Sequence, residues 1–292
     1  MGFPPEILAE AAANGLMLGA VYALVALGLT LVYGVLHVVN FAHGATLTLA
    51  LYAAWGAHAA LGLDPYAAAL PLAALFFALG YALQRLVVGP AARGEDTGAL
   101  LVTLGVAVVL ENLLLAAFRS DTRSVVTPLA DAVVEVGPMI LPLPRVVGFG
   151  AAVAVALALF ALLTATDAGR AMRAVAKERT GAALVGIDPA HVYALTFGVG
   201  AACVAVAACL LLPSYYVNPR AGEAFVLVAF TVVVLGGMGS VPGALAGGLL
   251  VGLVESLTGL YLGDSLGQLG VFALFIAVLL ARPTGLFGAR AA

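Results

Sequence analysis

The feature that most limits what this chain can become is the length of its uncharged runs. Residues 11–63 contain no Asp, Glu, Lys or Arg, and neither do 65–84, 146–166, 189–219, 224–254 and 265–281. A helix needs about 20 apolar residues to cross the hydrocarbon of a bilayer, so 11–63 is long enough for two crossings. Residues 97–118 make another crossing that carries Glu111, and 224–262 make two, with Glu255 inside the second. The predicted spans are 14–36, 43–62, 65–84, 97–118, 146–166, 190–212, 222–237, 243–262 and 266–281. The expected fold is all-α: a polytopic transmembrane bundle of eight or nine spans, in a single membrane domain over 1–292. Asp64-Pro65 and Asp188-Pro189 each set an acceptor side chain before a proline at the first helical position. Asn14 is a candidate cap for the first helix, and Arg282-Pro283 ends the last. The first apolar run has no basic region before it and does not stop at about 15 residues, so it reads as a crossing and not as a cleaved leader.

Composition removes whole classes of function. Only 9% of residues are charged, against about 25% in soluble domains. That excludes an ordinary soluble enzyme and a nucleic-acid binder, and a net charge of −3 gives no polyanionic partner. The single lysine, Lys177, does not follow a glycine, so the chain holds no phosphate-binding G-x-x-x-x-G-K-[ST] loop and is not its own P-loop ATPase. Cys203 and Cys209 stand six residues apart in one apolar run. On a helix that is a rise of about 9 Å and different faces, which excludes a disulfide. His37, His43 and His58 have no neighbouring Cys and lack H-E-x-x-H spacing. Ser240 follows Gly239 but is not in a G-x-S-x-G elbow. No catalytic residue, metal site or cofactor is expected.

Orientation follows the bases. With 167–189 placed in the cytoplasm, 85–96 and 282–292 fall on the same side. Together they hold Arg85, Arg93, Arg170, Arg173, Lys177, Arg179, Arg282 and Arg290, against Arg119, Arg123, Arg145 and Arg220 opposite. The C-terminal segment is then cytoplasmic and the N-terminal segment, with Glu6 and Glu10, extracytoplasmic. The longest hydrophilic stretch, 119–145, lies outside and carries Asp121, Asp131 and Glu135 among Pro128, Pro138, Pro142 and Pro144.

Four stretches carry further information. Glycines recur every four residues at Gly239, Gly243 and Gly247, at Gly248 and Gly252, and at Gly15 and Gly19; such stripes let helix backbones touch. The run Gly236-Gly237-Met238-Gly239-Ser240-Val241-Pro242-Gly243 holds regular helix poorly. It reads as a tight turn between crossings or as a re-entrant break near a pathway. Asn40-Phe41-Ala42-His43-Gly44 reads as a turn at the membrane surface, with a hydrogen bond from His43 across helices as the alternative. Glu111 and Glu255 are acids inside spans, each a packing group or a proton- or substrate-handling group. In the loop 167–189, Arg173 and Lys177 share a helix face, while Met172, Ala176 and Ala183 turn to the other side. Gly181 allows a bend and Gly186 ends the helix. This amphipathic helix either docks a soluble partner or lies on lipid headgroups.

Asn14-Gly15-Leu16 to Tyr22-Ala23-Leu24, Gly28-Leu29-Thr30-Leu31-Val32-Tyr33-Gly34 and Asn40-Phe41-Ala42-His43-Gly44 together resemble the start of the Liv-type permeases of branched-chain amino-acid ABC importers. The resemblance continues through Leu101-Val102-Thr103-Leu104-Gly105, Gly169-Arg170-Ala171-Met172-Arg173-Ala174, Gly186-Ile187, Val234 to Gly243 and Arg282-Pro283-Thr284-Gly285-Leu286-Phe287-Gly288, favouring the H-type subunit. It implies an inner-membrane importer subunit for branched-chain or related amino acids. The implied partners are a second, similar permease, two ABC ATPase subunits and an extracytoplasmic solute-binding protein. It also makes 170–187 the ATPase-coupling loop, with Arg170, Arg173, Lys177, Glu178, Gly181 and Gly186. Asn40, His43, Gly44, Gly236, Gly237, Gly239, Ser240, Glu111 and Glu255 are the candidates for the pathway and its helix breaks. Ala45 stands where such permeases often carry an acid, Ala50 where they often carry glycine, and Glu111 where glutamine is usual; these departures bear on the substrate. The competing reading is an ion-coupled secondary transporter, which would need Glu111 or Glu255 and no ATPase.

Overall fold

A computed structural model describes residues 4–92, 96–127, 129, 132–137 and 139–288, and of Asp96 and Asp264 the backbone alone. Arg93, Arg290, Asp131, Pro128 and Pro138, used above, lie outside the described residues. The helices are α1 (Pro5–Leu36), α2 (His43–Leu61) and α3 (Pro65–Leu83), which runs through a π-helical turn at Gln84–Val88 into α4 (Gly89–Ala91). They continue with α5 (Asp96–Phe118), α6 (Leu143–Ala165), α7 (Asp167–Lys177), α8 (Arg179–Leu184), α9 (Pro189–Leu211), α10 (Ala221–Gly236), α11 (Val241–Leu262) and α12 (Gly267–Ala281). Each expected segment contains a helix, most with ends shifted by a few residues and the first beginning nine residues early at Pro5. Among the described residues, six stretches are long and apolar enough to cross a bilayer: Pro5–Leu36, Pro65–Ala91, Thr97–Phe118, Leu143–Ala165, Pro189–Leu211 and Val241–Leu262. Helices α10 and α12, of 16 and 15 residues, are shorter.

Several helix starts follow the chemistry of their first residues. Asp64 accepts from the Tyr66 N–H at 2.9 Å and Asp188 from the Ala190 N–H at 2.9 Å, each ahead of a proline. Ser240 does the same for α11 through the Gly243 N–H at 3.1 Å. Asn14 does not cap the first helix. That helix begins nine residues earlier at Pro5, and Asn14 sits within it, its amide donating to the Glu10 carbonyl at 3.1 Å and its Oδ1 accepting from Arg145 at 2.9 Å. The bundle also carries a small sheet that the all-α expectation omits. Within the 119–145 loop, β1 (Val133–Val136) pairs antiparallel with β2 (Met139–Pro142), next to Gly137 at φ +63°.

Helices α1 and α9 form the buried centre. They meet where Gly28 and Gly200 leave room for backbone contact: a Cβ on Gly28 would stand 2.6 Å from the Gly200 carbonyl oxygen. Along its other side α1 lies against α11, with Gly15 and Gly19 facing Gly248 and Gly252. The two stripes of fourfold spacing are thus halves of one contact. Gly243 serves another, against Gly236 at the α10–α11 junction.

Candidate translocation and coupling sites

Helices α7 and α8 form an angled pair at one end of the bundle. Thr166 caps α7 through the Gly169 N–H at 3.1 Å. Met172 and Val175 turn inward and are buried, whereas Arg170, Arg173 and Lys177 are exposed. The bend between the helices falls at Glu178, extended at φ −157°, whose side chain caps α8 through the Thr180 N–H at 3.1 Å. It does not fall at Gly181, which lies inside α8. A branch point needs a residue that both leaves one helix and caps the next, and an acidic side chain does this where glycine cannot. Gly186, at φ +89°, ends the pair as expected, its N–H reaching the Ala183 carbonyl at 3.1 Å. Ala183 faces solvent instead of the bundle. Beside it, Leu184 and Val185 are 84% and 77% exposed. Their signal in the sequence was two large apolar residues directly before a helix-ending glycine. The Arg179 guanidinium sits 5.8 Å from the Tyr193 ring and ties α8 to α9. Arg173 and Lys177 also border a crevice of about 390 Å³ shared with Thr30, Gly34, Met172 and Gly239.

That crevice locates the glycine break. Residues 237–240 are a short turn joining α10 to α11, so of the two readings the turn is observed. Gly237 and Gly239 hold φ of +97° and +85°. Gly239 packs on Gly34 near the end of α1, and Gly236 accepts from the Phe287 N–H at 3.1 Å. The turn therefore sits at the same end of the bundle as α7.

Asn40–Gly44 does not turn at the end of the bundle, although Phe41 is 43% exposed on its flank. His43 is 2% exposed, and its Nε2 donates to the Val25 carbonyl at 2.9 Å. Val25 lies eleven residues before the end of α1 at Leu36, a rise of about 16 Å. Residues 37–42 therefore turn back into the bundle, and α2 starts deep inside it. Irregular backbone at such depth must find partners within the protein. The Ala42 N–H meets Asn40 Oδ1 at 3.0 Å, and the Phe41 N–H meets Thr103 Oγ1 at 3.3 Å. Gly44 packs on Gly222 at the start of α10, whose N–H donates to Thr48 at 2.9 Å. Asn40, His43 and Thr46 border a mostly apolar cavity of about 170 Å³ with Phe76, Leu110 and Phe197. His43→Ala removes the hydrogen bond and enlarges that cavity, at a cost of about 2–4 kcal/mol. The expected result is a melting temperature in detergent lowered by roughly 5–10 °C; an unchanged value counts against this anchoring.

The two intramembrane acids serve different places. Glu255 Oε1 accepts from the Tyr22 hydroxyl at 3.3 Å, and Ser256 donates to the Ala11 carbonyl at 2.7 Å, so both join α11 to α1. Glu111 is half-buried on α5, with Glu223 and Arg220 of the α10 start as its charged neighbours. Among the described residues no group of three His, Cys, Asp or Glu gathers as a metal site.

A family model described as branched-chain amino acid transport system / permease component matches residues 11–279. The chain is 35% identical over 291 residues to the high-affinity branched-chain amino acid transport system permease protein BraD of Pseudomonas aeruginosa, covering 94% of each chain. It is 36% identical over 294 residues, again 94% of each, to the permease protein LivH of Escherichia coli K12. A probable LivH of Methanocaldococcus jannaschii is 26% identical over 277 residues, 91% of this chain and 88% of the relative.

Proposed function

Since the chain belongs to the permease-component family of branched-chain amino acid transport systems, we propose that it is a transmembrane subunit of an ABC importer for branched-chain or related amino acids. In this reading it sits in the inner membrane with α7 and α8 in the cytoplasm, its C-terminal segment inside and its N-terminal segment outside. The basic residues favour that orientation. It works beside a second, similar permease, two ABC ATPase subunits and an extracytoplasmic solute-binding protein. The observation that carries the reading is the α7–α8 pair, which presents Leu184 and Val185 to solvent beside Arg173, Lys177 and Arg179. An uncovered apolar tip with basic flanks suits a soluble protein, and a chain without a P-loop needs one to hydrolyse ATP. ATP-driven closure of the ATPases would press on this pair. Helix α7 packs against α1 and shares the crevice with Gly239 of the 237–240 turn, so the push reaches the helices that carry the breaks.

Reconstitution tests this. Proteoliposomes holding the permeases and ATPases, supplied with binding protein, are expected to accumulate leucine only with ATP. Uptake should stop with a hydrolysis-deficient ATPase and persist when ionophores collapse ion gradients. Leucine uptake driven by a proton or sodium gradient without ATPases would overturn the reading in favour of a secondary transporter.

A further inference from the structure

A buried polar side chain without a partner calls for an explanation, and a ligand-binding role is one. Gln84 is 3% exposed, and its Oε1 has no hydrogen-bond partner among the described residues. It opens the π-helical turn Gln84–Val88 at the end of α3, where the Gly89 N–H bonds back to the Gln84 carbonyl across five residues. Such a turn is wider than an α-helical one and shifts its side chains off the regular helix faces. The Gln84 side chain borders a cavity of about 320 Å³, within the range of small-molecule sites.

The cavity gathers both signs of charge. Arg179, the first residue of α8, and Asp188, the cap of α9, border it together with Arg85. Arg85 Nη1 and Asp188 Oδ2 stand 3.7 Å apart, with side chains 48% and 58% exposed, so the charged rim is open. Arg179 forms no ion pair among the described residues and rests on the Tyr193 ring at 5.8 Å. The floor is apolar, with Val88 and Ala99 buried against Leu36 and Val38. An anion alone would pair with Arg179 and leave Gln84 Oε1 unsatisfied, and a cation alone would do the reverse. A molecule with an ammonium group next to a carboxylate satisfies both.

We propose that this cavity is a regulatory site for a free α-amino acid, on the side of the membrane where the importer releases its substrate. The Arg179 fork receives the α-carboxylate. Gln84 Oε1 and Asp188 receive the α-ammonium group, and Leu36, Val38 and Val88 receive an aliphatic side chain. The bound molecule ties the first residue of α8 to the end of α3 and the start of α9. It thereby opposes the movement of the α7–α8 pair that ATP-driven closure requires, and accumulated product slows its own import. This deepens the importer reading and rests on it.

The test is uptake of labelled leucine by the full complex in proteoliposomes, with ATP and unlabelled leucine trapped in the lumen and binding protein outside. Each protein is compared with its own rate at a leucine-free lumen. Wild type is expected to slow roughly tenfold when luminal leucine reaches about ten times its Kd, because occupied complexes do not turn over. Gln84→Leu, which removes the acceptor and keeps the volume, is expected to hold its rate. A second measurement needs no variant. Leucine should raise the melting temperature of the wild-type complex in the absence of binding protein. Isocaproate, which lacks the ammonium group, and isoamylamine, which lacks the carboxylate, should not. Equal slowing of both proteins, or protection by isocaproate or inorganic phosphate equal to that by leucine, overturns the site. ATP-driven uptake that is indifferent to luminal leucine overturns it too, while leaving the importer reading intact. Uptake that needs no ATPase overturns the importer reading first and the regulatory site with it.

Discussion

Gly252→Leu is expected to abolish recovery of folded protein, with at least a tenfold loss of monodisperse material after extraction in detergent. Helices in a bilayer gain little from hiding apolar surface, since lipid is as apolar as leucine, so close packing and hydrogen bonds supply the attraction. The α1–α11 contact depends on both. A Cβ on Gly15 would stand 2.7 Å from the Gly252 carbonyl oxygen, and one on Gly19 would stand 2.5 Å from that of Gly248. Leucine at 252 adds a branched chain where backbone meets backbone, and α1 and α11 must separate. The bonds from Ser256 to Ala11 and from Tyr22 to Glu255 are then lost together. Overpacking alone costs about 1–3 kcal/mol where neighbours can shift, and backbone atoms here cannot. Gly150→Leu is the control, because a Cβ there meets nothing within 4 Å. Size-exclusion yield is the measurement; normal recovery of the Gly252 variant would refute the contact.

This pairing marks the limit of what the sequence discloses. The fourfold glycine spacing on α1 and on α11 is local information and was legible. That one stripe faces the other is not, because 229 residues separate Gly19 from Gly248 and nothing in either encodes its partner. The helices were legible for the same local reason, as charged residues fall mostly between them. The Asn40–Gly44 break was visible too, but its depth was not. A turn inside the bundle needs the opening made by Gly28 and Gly200 and the acceptor at Val25, all distant in sequence. The hairpin in the 119–145 loop stayed hidden because its prolines signal irregular backbone. Glu111 stood out as an acid in an apolar run, yet the charges of Arg220 and Glu223 that act on it come from an element distant in sequence.

The coupling assignment predicts the second large effect. Leu184→Asp with Val185→Asp is expected to leave the membrane bundle folded and to eliminate ATP-dependent leucine uptake. Neither side chain packs inside the chain, so folding has little to lose; the buried anchors of the pair are Met172, Val175 and Ala182. Burying a leucine or valine at an interface contributes about 1.5–3 kcal/mol. Removing both and adding carboxylates therefore weakens ATPase docking by roughly two to four orders of magnitude. Charge reversal at Arg173 and Lys177 should act more weakly, since exposed ion pairs are worth about 0–1 kcal/mol each. The relative size of the two effects is thus itself a test of which residues hold the partner. Co-purification of the ATPase with the aspartate variant, together with its melting temperature, separates lost docking from lost folding. If the ATPase stays bound and uptake continues, α8 does not dock it, and the basic face of α7 lies on lipid headgroups instead.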